Sequence, residues 1–203
     1  MKRTYDAVVV GAGPAGSVAA RRLAEGGLDV LLIEKRQEIG APVRCAEAVG
    51  EYMTSEHIPI SDRWINARIS HYAVKNVEGA AVIVPPTEPT LIVDRKVFDW
   101  ELAHLAVRSG AEVRTRTQAE GLIRDDDGHL IGVRVSSVGK TAIVHTRLVI
   151  AADGTESQVA RWAGLKTVPP MGDFYVGFQY LLGNVGGRIE PHLCEYHLGH
   201  SMA

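Results

Sequence analysis

The residues best suited to chemistry begin near the start of the chain. Gly11, Gly13 and Gly16, with Pro14 and Ala15 between them, follow an apolar run from Ala7 to Val10. A helical pattern comes next, with Val18, Ala19 and Leu23 on one face, and Gly26-Gly27 ends it. A second apolar run, Val30 to Ile33, stops at Glu34. Strand, glycine turn, helix, strand and acid make the βαβ pattern that binds a dinucleotide. Gly11 permits the sharp turn, Gly13 lets a pyrophosphate approach the backbone, and Gly16 lets the helix approach the sheet. The helix start offers unpaired N–H groups and a positive dipole end to phosphate, with Ala15 presenting backbone there. Pro14 suits the first turn, where its missing N–H costs nothing. Glu34 is placed to accept from both ribose hydroxyls, and it would repel a 2′-phosphate, which disfavours NADP.

Other reactive residues are more ambiguous. Cys45 stands between a loop rich in breakers, 35–43, and an expected helix start, with Arg44 beside it. Positive potential there would favour a thiolate, yet an inert buried cysteine fits the residue type equally well. Arg95 opens a helical pattern and could reach phosphates or pair at the surface with Asp94 or Asp99. Ala119 begins an expected strand. Asp153 and Gly154 follow a third apolar run, where Asp153 could order a phosphate turn or cap a helix at Ser157. His192, His197 and His200 are spaced so that a strand does not put all three on one face, so no metal site is expected.

The elements that must position these residues follow from periodicity and breakers. A short helix is expected after Cys45, to about His57. Residues 66–93 read as β structure, with Glu78-Gly79 and Pro85-Pro86 as breaks. Phe98, Leu102, Leu105 and Ala106 recur at helical spacing, with Asp94 as cap and Gly110 as stop. A short strand at 112–115 precedes a three-stranded meander at 119–124, 130–136 and 142–150. A short helix at 157–163 and strands at 174–182 and 193–198 complete the expectation. Phe174, Phe178 and Tyr180 alternate onto one face, which suits either an apolar pocket or core packing. The fold class is α/β: a Rossmann-like βαβ domain with a β-meander, plus part of an antiparallel-sheet domain. The expected division is 1–65 with 94–166, against 66–93 with 167–203.

Composition narrows the function. With 22 basic and 24 acidic residues the net charge is −2, so nothing points to nucleic acid. Hydrophobic content of 46% is ample for a core. Cys45 and Cys194 form no CxxC and no disulfide framework, as in a reducing cytoplasm. No signal peptide or bilayer-length apolar run is visible. The ending, just after an expected strand, reads as that of a fragment.

The gapless pattern from Gly11 through Ala20 and Gly27 to Glu34 resembles the FAD-binding domain of the glutathione-reductase superfamily. The stretch Asp94-Arg95-Lys96-Val97-Phe98-Asp99 resembles the DRxxFD segment of these flavoproteins. The stretch Ala152-Asp153-Gly154-Thr155-Glu156-Ser157 resembles the ADGxxS segment of their hydroxylase-like branch. Pro42-Val43-Arg44-Cys45 resembles the PxxC motif of the geranylgeranyl reductases, especially the archaeal digeranylgeranylglycerophospholipid reductases. Full-length members continue into a YxWxFPK-like and a GD segment, which this chain lacks. That resemblance implies FAD as cofactor and an isoprenoid lipid substrate whose double bonds are hydrogenated. It also implies an external donor, ferredoxin or NAD(P)H, and peripheral contact with a membrane surface. It places Glu34, Lys35, Arg44, Cys45, Ala46, Ala48, Arg95, Ala119, Asp153 and Gly154 with the fingerprint around FAD. Cys45 would be the catalytic residue, near N5 of the flavin. The competing readings are an FAD-dependent hydroxylase using NAD(P)H and O₂, a flavin-binding fragment without turnover, and a plain NAD dehydrogenase.

Overall fold

The computed structural model describes residues 1–187 and 190–199. Two units divide the chain: Met1–Val43 with Arg95–Tyr175, and Arg44–Asp94 with Val176–Ala203.

The first unit is built on a parallel sheet. Strands β1 (Ala7–Val10) and β2 (Val30–Ile33) flank helix α1 (Pro14–Glu25) in sequence and pair in parallel. Both strands are buried on both faces, which is why they read as continuous apolar runs rather than alternating ones. Val9, Val30 and Leu32 pack with Ala20 and Ala24 of α1. Val8, Val10, Leu31 and Ile33 face the other way.

The second unit begins with β3 (Ala48–Gly50), α2 (Glu51–Ser55), β4 (Ile65–Ile69), β5 (His71–Lys75), β6 (Ala81–Val84) and β7 (Thr90–Val93). The chain then returns to the first unit as α3 (Arg95–Arg108). There it continues through β8 (Glu112–Arg114), β9 (Thr117–Arg124), β10 (Leu130–Ser137), β11 (Lys140–His145) and β12 (Leu148–Ala151). The parallel sheet has the order β12-β1-β2-β8, and β9, β10 and β11 form an antiparallel meander. Ala119, Val133, Val135 and Val144 of the meander bury against the outward residues of β1 and β2. Helices, parallel sheet and meander are therefore three layers with apolar seams between them.

Residues 142–150, expected as one strand, are two strands in two sheets. Thr146 makes the break. Its hydroxyl lies 3.0 Å from the carbonyl oxygens of both Asp6 and Leu148 and accepts the Leu148 N–H at 3.3 Å. Helix α4 (Gln158–Trp162) follows, shorter than expected.

In the second unit β3, β7 and β4 pair antiparallel, while β13 (Leu193–His197) joins β5 in parallel and β6 pairs antiparallel. Residues 44–65, expected with the first unit, fall in the second because β3 and β4 both pair with β7. Residues 174–182 form no strand. Without a ladder their aromatic side chains are exposed, Phe178 at 87% and Tyr180 at 84%, so the expected apolar face is not assembled among the described residues. His200 lies outside the described residues. No described helix is long and apolar enough to cross a membrane.

A charged clasp ties the first strand to the far edge of the parallel sheet. The Tyr5 hydroxyl donates to Glu112 Oε2 at 2.6 Å, and Arg114 Nε donates to Glu112 Oε1 at 2.6 Å. The N-terminal ammonium lies 3.1 Å from Glu112 Oε1. Burial pushes the Glu112 carboxyl up, but these three donors together pull it down to about 2. Burial and the bond to Glu112 push Tyr5 up to about 12. A carboxyl lowered on folding stabilises above its unfolded value and loses that contribution as pH falls through its folded value. Glu112→Gln is therefore expected to cost on the order of 1–3 kcal/mol at neutral pH. In urea melts the gap to the parent should close between about pH 4.5 and about pH 2. A gap independent of pH would show that the clasp is not electrostatic.

Candidate functional site

The glycine turn is a close backbone junction. Gly11 has φ +102°, and a Cβ there would lie 2.3 Å from the carbonyl oxygen of Ala152. A Cβ on Gly16 would lie 1.8 Å from the Gly11 oxygen. The turn, the helix start and the end of β12 meet with no room for side chains. Gly13 differs: nothing lies within 4 Å of its missing Cβ. The protein does not use that space for its own packing, so the backbone there is open to a ligand.

Helix α1 starts with Gly13 at its N-cap, Pro14 in the first turn and no side-chain cap. Ala15 is exposed, and Gly16 is buried. The Ser17 N–H closes on the Gly13 oxygen at 2.9 Å. The N–H groups of a first turn have no partner inside their helix and point at whatever lies before it.

Glu34 ends β2 beside this turn. Its Oε2 accepts the Ala12 N–H at 3.1 Å and its Oε1 accepts the Arg36 N–H at 2.9 Å. These bonds orient the carboxylate, and each oxygen keeps a lone pair for a hydroxyl. Open space at Gly13 and an oriented acid at Glu34 fit a pyrophosphate and a ribose, so the residues present suit an adenine dinucleotide.

The remaining expected residues of the first unit take these places. Lys35 pairs with Glu156 in the turn after β12. Asp153 accepts the Val159 N–H at 3.0 Å, so it caps α4. Gly154 follows with φ +71°. The backbone of Asp153 lies against Gly11, 3.2 Å from the position of the missing Cβ. Ala119, 7% exposed, is paired with Val135 inside β9, which starts two residues earlier than expected.

Arg95 donates from Nε and Nη2 to Asp99 at 2.8 and 2.9 Å. A surface pair was one expectation for this arginine, but Asp99 is 3% exposed. Sequence reasoning passed over Asp99 as a buried acid. The signal was its place with Leu102, Ala103 and Ala106 at helical spacing, four residues after an arginine.

Arg44, Cys45, Ala46 and Ala48 belong to the second unit. Cys45 is half-buried, with its Sγ accepting the Glu47 N–H at 3.3 Å. Glu47 has φ +64° and its carboxylate accepts from Gln179 at 3.1 Å. The expected helix start at Cys45 is absent: β3 intervenes and α2 begins only at Glu51. Glu47 turns the chain into pairing with β7, so the thiol has a backbone N–H rather than a helix dipole beside it. Ala46 and Ala48 are exposed, and Ala48 pairs with Ile92. A cleft of about 260 Å³ in the same unit is lined by Ala48, Tyr72, Glu88 and Thr90 among others. Among the described residues no group of His, Cys, Asp and Glu could hold a metal ion.

Fold and turn define a dinucleotide-binding α/β domain, and the family model described as "FAD binding domain" matches residues 4–180. The chain belongs to that family, and FAD is its cofactor. It is 45% identical, over its whole length, to the digeranylgeranylglycerophospholipid reductase of Methanosarcina acetivorans, covering 50% of that protein. It is 44% identical to the enzyme of the same name from Methanocella arvoryzae, covering all of this chain and 52% of that protein. A solved structure of a geranylgeranyl bacteriochlorophyll reductase-like protein from Thermoplasma acidophilum superposes with a TM-score of 0.84. That match has 32% identity and covers 97% of this chain and 51% of the other. The chain thus spans about half the length of the relatives it matches.

The glycines separate fold from binding. Gly13→Ala is expected to leave the melting temperature within about 2 °C while weakening FAD binding by about tenfold. Gly16→Ala should unfold the turn itself, lowering the melting temperature by about 10 °C or more. Thermal melts with and without FAD check both. Equal effects of the two substitutions would remove the distinction.

Proposed function

We propose that this chain is the FAD-binding portion of a reductase that hydrogenates the isoprenoid double bonds of geranylgeranyl ether lipids. The observation that carries the reading is the full-length similarity to digeranylgeranylglycerophospholipid reductases, which extends through the Pro42-Val43-Arg44-Cys45 segment. The first unit serves the cofactor, and the second, which holds Cys45, serves the lipid. Gly11, Gly13, Pro14, Ala15 and Gly16 hold the pyrophosphate, and Glu34 holds the ribose. Lys35, Arg95, Ala119, Asp153 and Gly154 complete the set in the first unit; Arg44, Cys45, Ala46 and Ala48, in the second unit, are FAD-binding residues by the same reading.

FAD, when bound and reduced, supplies a hydride. An isolated alkene accepts hydride poorly, so a proton must reach the other carbon as the hydride arrives or before. Cys45 is the residue assigned to hold that proton at Sγ. The Glu47 N–H donates to the same sulfur, which stabilises the thiolate left behind and leaves S–H to point elsewhere. An external redox partner, ferredoxin or NAD(P)H, returns an electron pair for the next bond. Peripheral contact with a membrane surface would bring the lipid within reach.

The test is a single-turnover assay without oxygen. The purified chain is loaded with FAD, reduced with dithionite and given a digeranylgeranyl glycerol ether lipid. Product should gain one hydrogen pair per reduced bond as the flavin colour returns. Cys45→Ala should keep its yellow colour and lose about a hundredfold or more in rate. Normal rates in that variant would remove Cys45 from the chemistry. Incorporation of oxygen into product in air, with NADPH consumed and the lipid double bonds intact, would replace the reductase with a hydroxylase.

A further inference from the structure

Asp99 is a buried carboxylate that the proposed reaction does not use. It lies on the inner face of α3, 3% exposed, among Phe98, Leu102 and Ala103. Acids are rarely buried this fully unless paired, because the desolvated charge is costly. Its partner is the guanidinium one helical turn earlier, held through two parallel hydrogen bonds at 2.8 and 2.9 Å. The Arg95 side chain is itself only 18% exposed. Burial pushes the Asp99 carboxyl up, Arg95 pulls it down, and the negative charge of Glu34 pushes it up again. The loop leaving Glu34 also closes on this helix start: a Cβ on Gly40 would lie 2.6 Å from the Arg95 carbonyl oxygen.

We infer that Asp99 is a positioning residue of the FAD site, which clamps the Arg95 guanidinium in a fixed orientation. The inference rests on the reading that Arg95 serves the phosphate-bearing part of FAD. A bidentate pair holds the guanidinium plane through the Nε–Nη2 edge. An arginine fixed before the cofactor arrives loses less rotamer freedom on binding than a mobile one.

A double-mutant cycle read by flavin fluorescence on FAD titration separates positioning from simple stability. Asp99→Asn keeps the shape of the side chain but removes its charge and one acceptor. It should weaken FAD binding by about tenfold. Arg95→Lys keeps a positive charge for Asp99 but lacks the fork, and it should weaken FAD by a similar factor. In the Arg95→Lys background, Asp99→Asn should add less than a twofold loss. Asp99→Glu, which restores the carboxylate, should recover part of the affinity. Equal losses from Asp99→Asn in both backgrounds, or no loss in the parent, would overturn the inference. If Arg95→Lys alone leaves FAD affinity unchanged, the reading of Arg95 fails. A loss from Asp99→Asn beside an unchanged Arg95→Lys would then assign Asp99 to packing alone.

Discussion

The first unit depends on one steric constraint: the backbone of Gly11 and the carbonyl of Ala152 meet with no space for a Cβ. Gly16 closes the same junction from the helix side. Through that contact the end of β1, the start of α1 and the end of β12 are fixed together. The N–H groups of the helix start are aimed by it, and so is the backbone of Asp153. Glu34 is tied to the turn by the Ala12 N–H rather than by its strand alone. A turn held this tightly can present bare backbone to a pyrophosphate without paying to order it first.

Around that turn, charge is handled in two ways. Glu112 gathers three donors at the sheet edge and stays ionised to a low pH, a structural use of a carboxylate. Asp99 is more deeply buried and holds the Arg95 guanidinium through two parallel bonds. The first arrangement fastens the sheet. The second holds an arginine that, in the proposed site, receives a cofactor with its own negative charge.

In the proposed reductase the second unit contributes Cys45. Its thiol is set by a residue in a left-handed conformation, Glu47, which turns the chain into β3. The chemistry asked of the sulfur is proton delivery to an alkene, and a directed backbone N–H is a plain way to stabilise the anion that remains.

The sequence by itself determined the βαβ unit, because continuous apolar runs, a glycine turn and a terminal acid are local signals with local causes. It also determined α3, whose apolar spacing and Gly110 stop are written within one segment, and the family, through motifs that need no tertiary context. It put the fingerprint glycines at the turn into α1 and Glu34 just after β2, where the fold has them, and left Arg95 between two roles. Tertiary structure decided the rest. The apolar run at 142–150 divides between two sheets because β11 pairs with β10 and β12 with β1, with Thr146 bonded to Asp6 between them. Residues 44–65 join the second unit because β7, distant in sequence, offers them an edge. Residues 174–182 alternate like a strand but are not one, since alternation prepares a face and only a partner makes a ladder. Asp99 looked like a surface charge because burial is a property of the neighbours a helix meets, and those neighbours are not adjacent in the sequence.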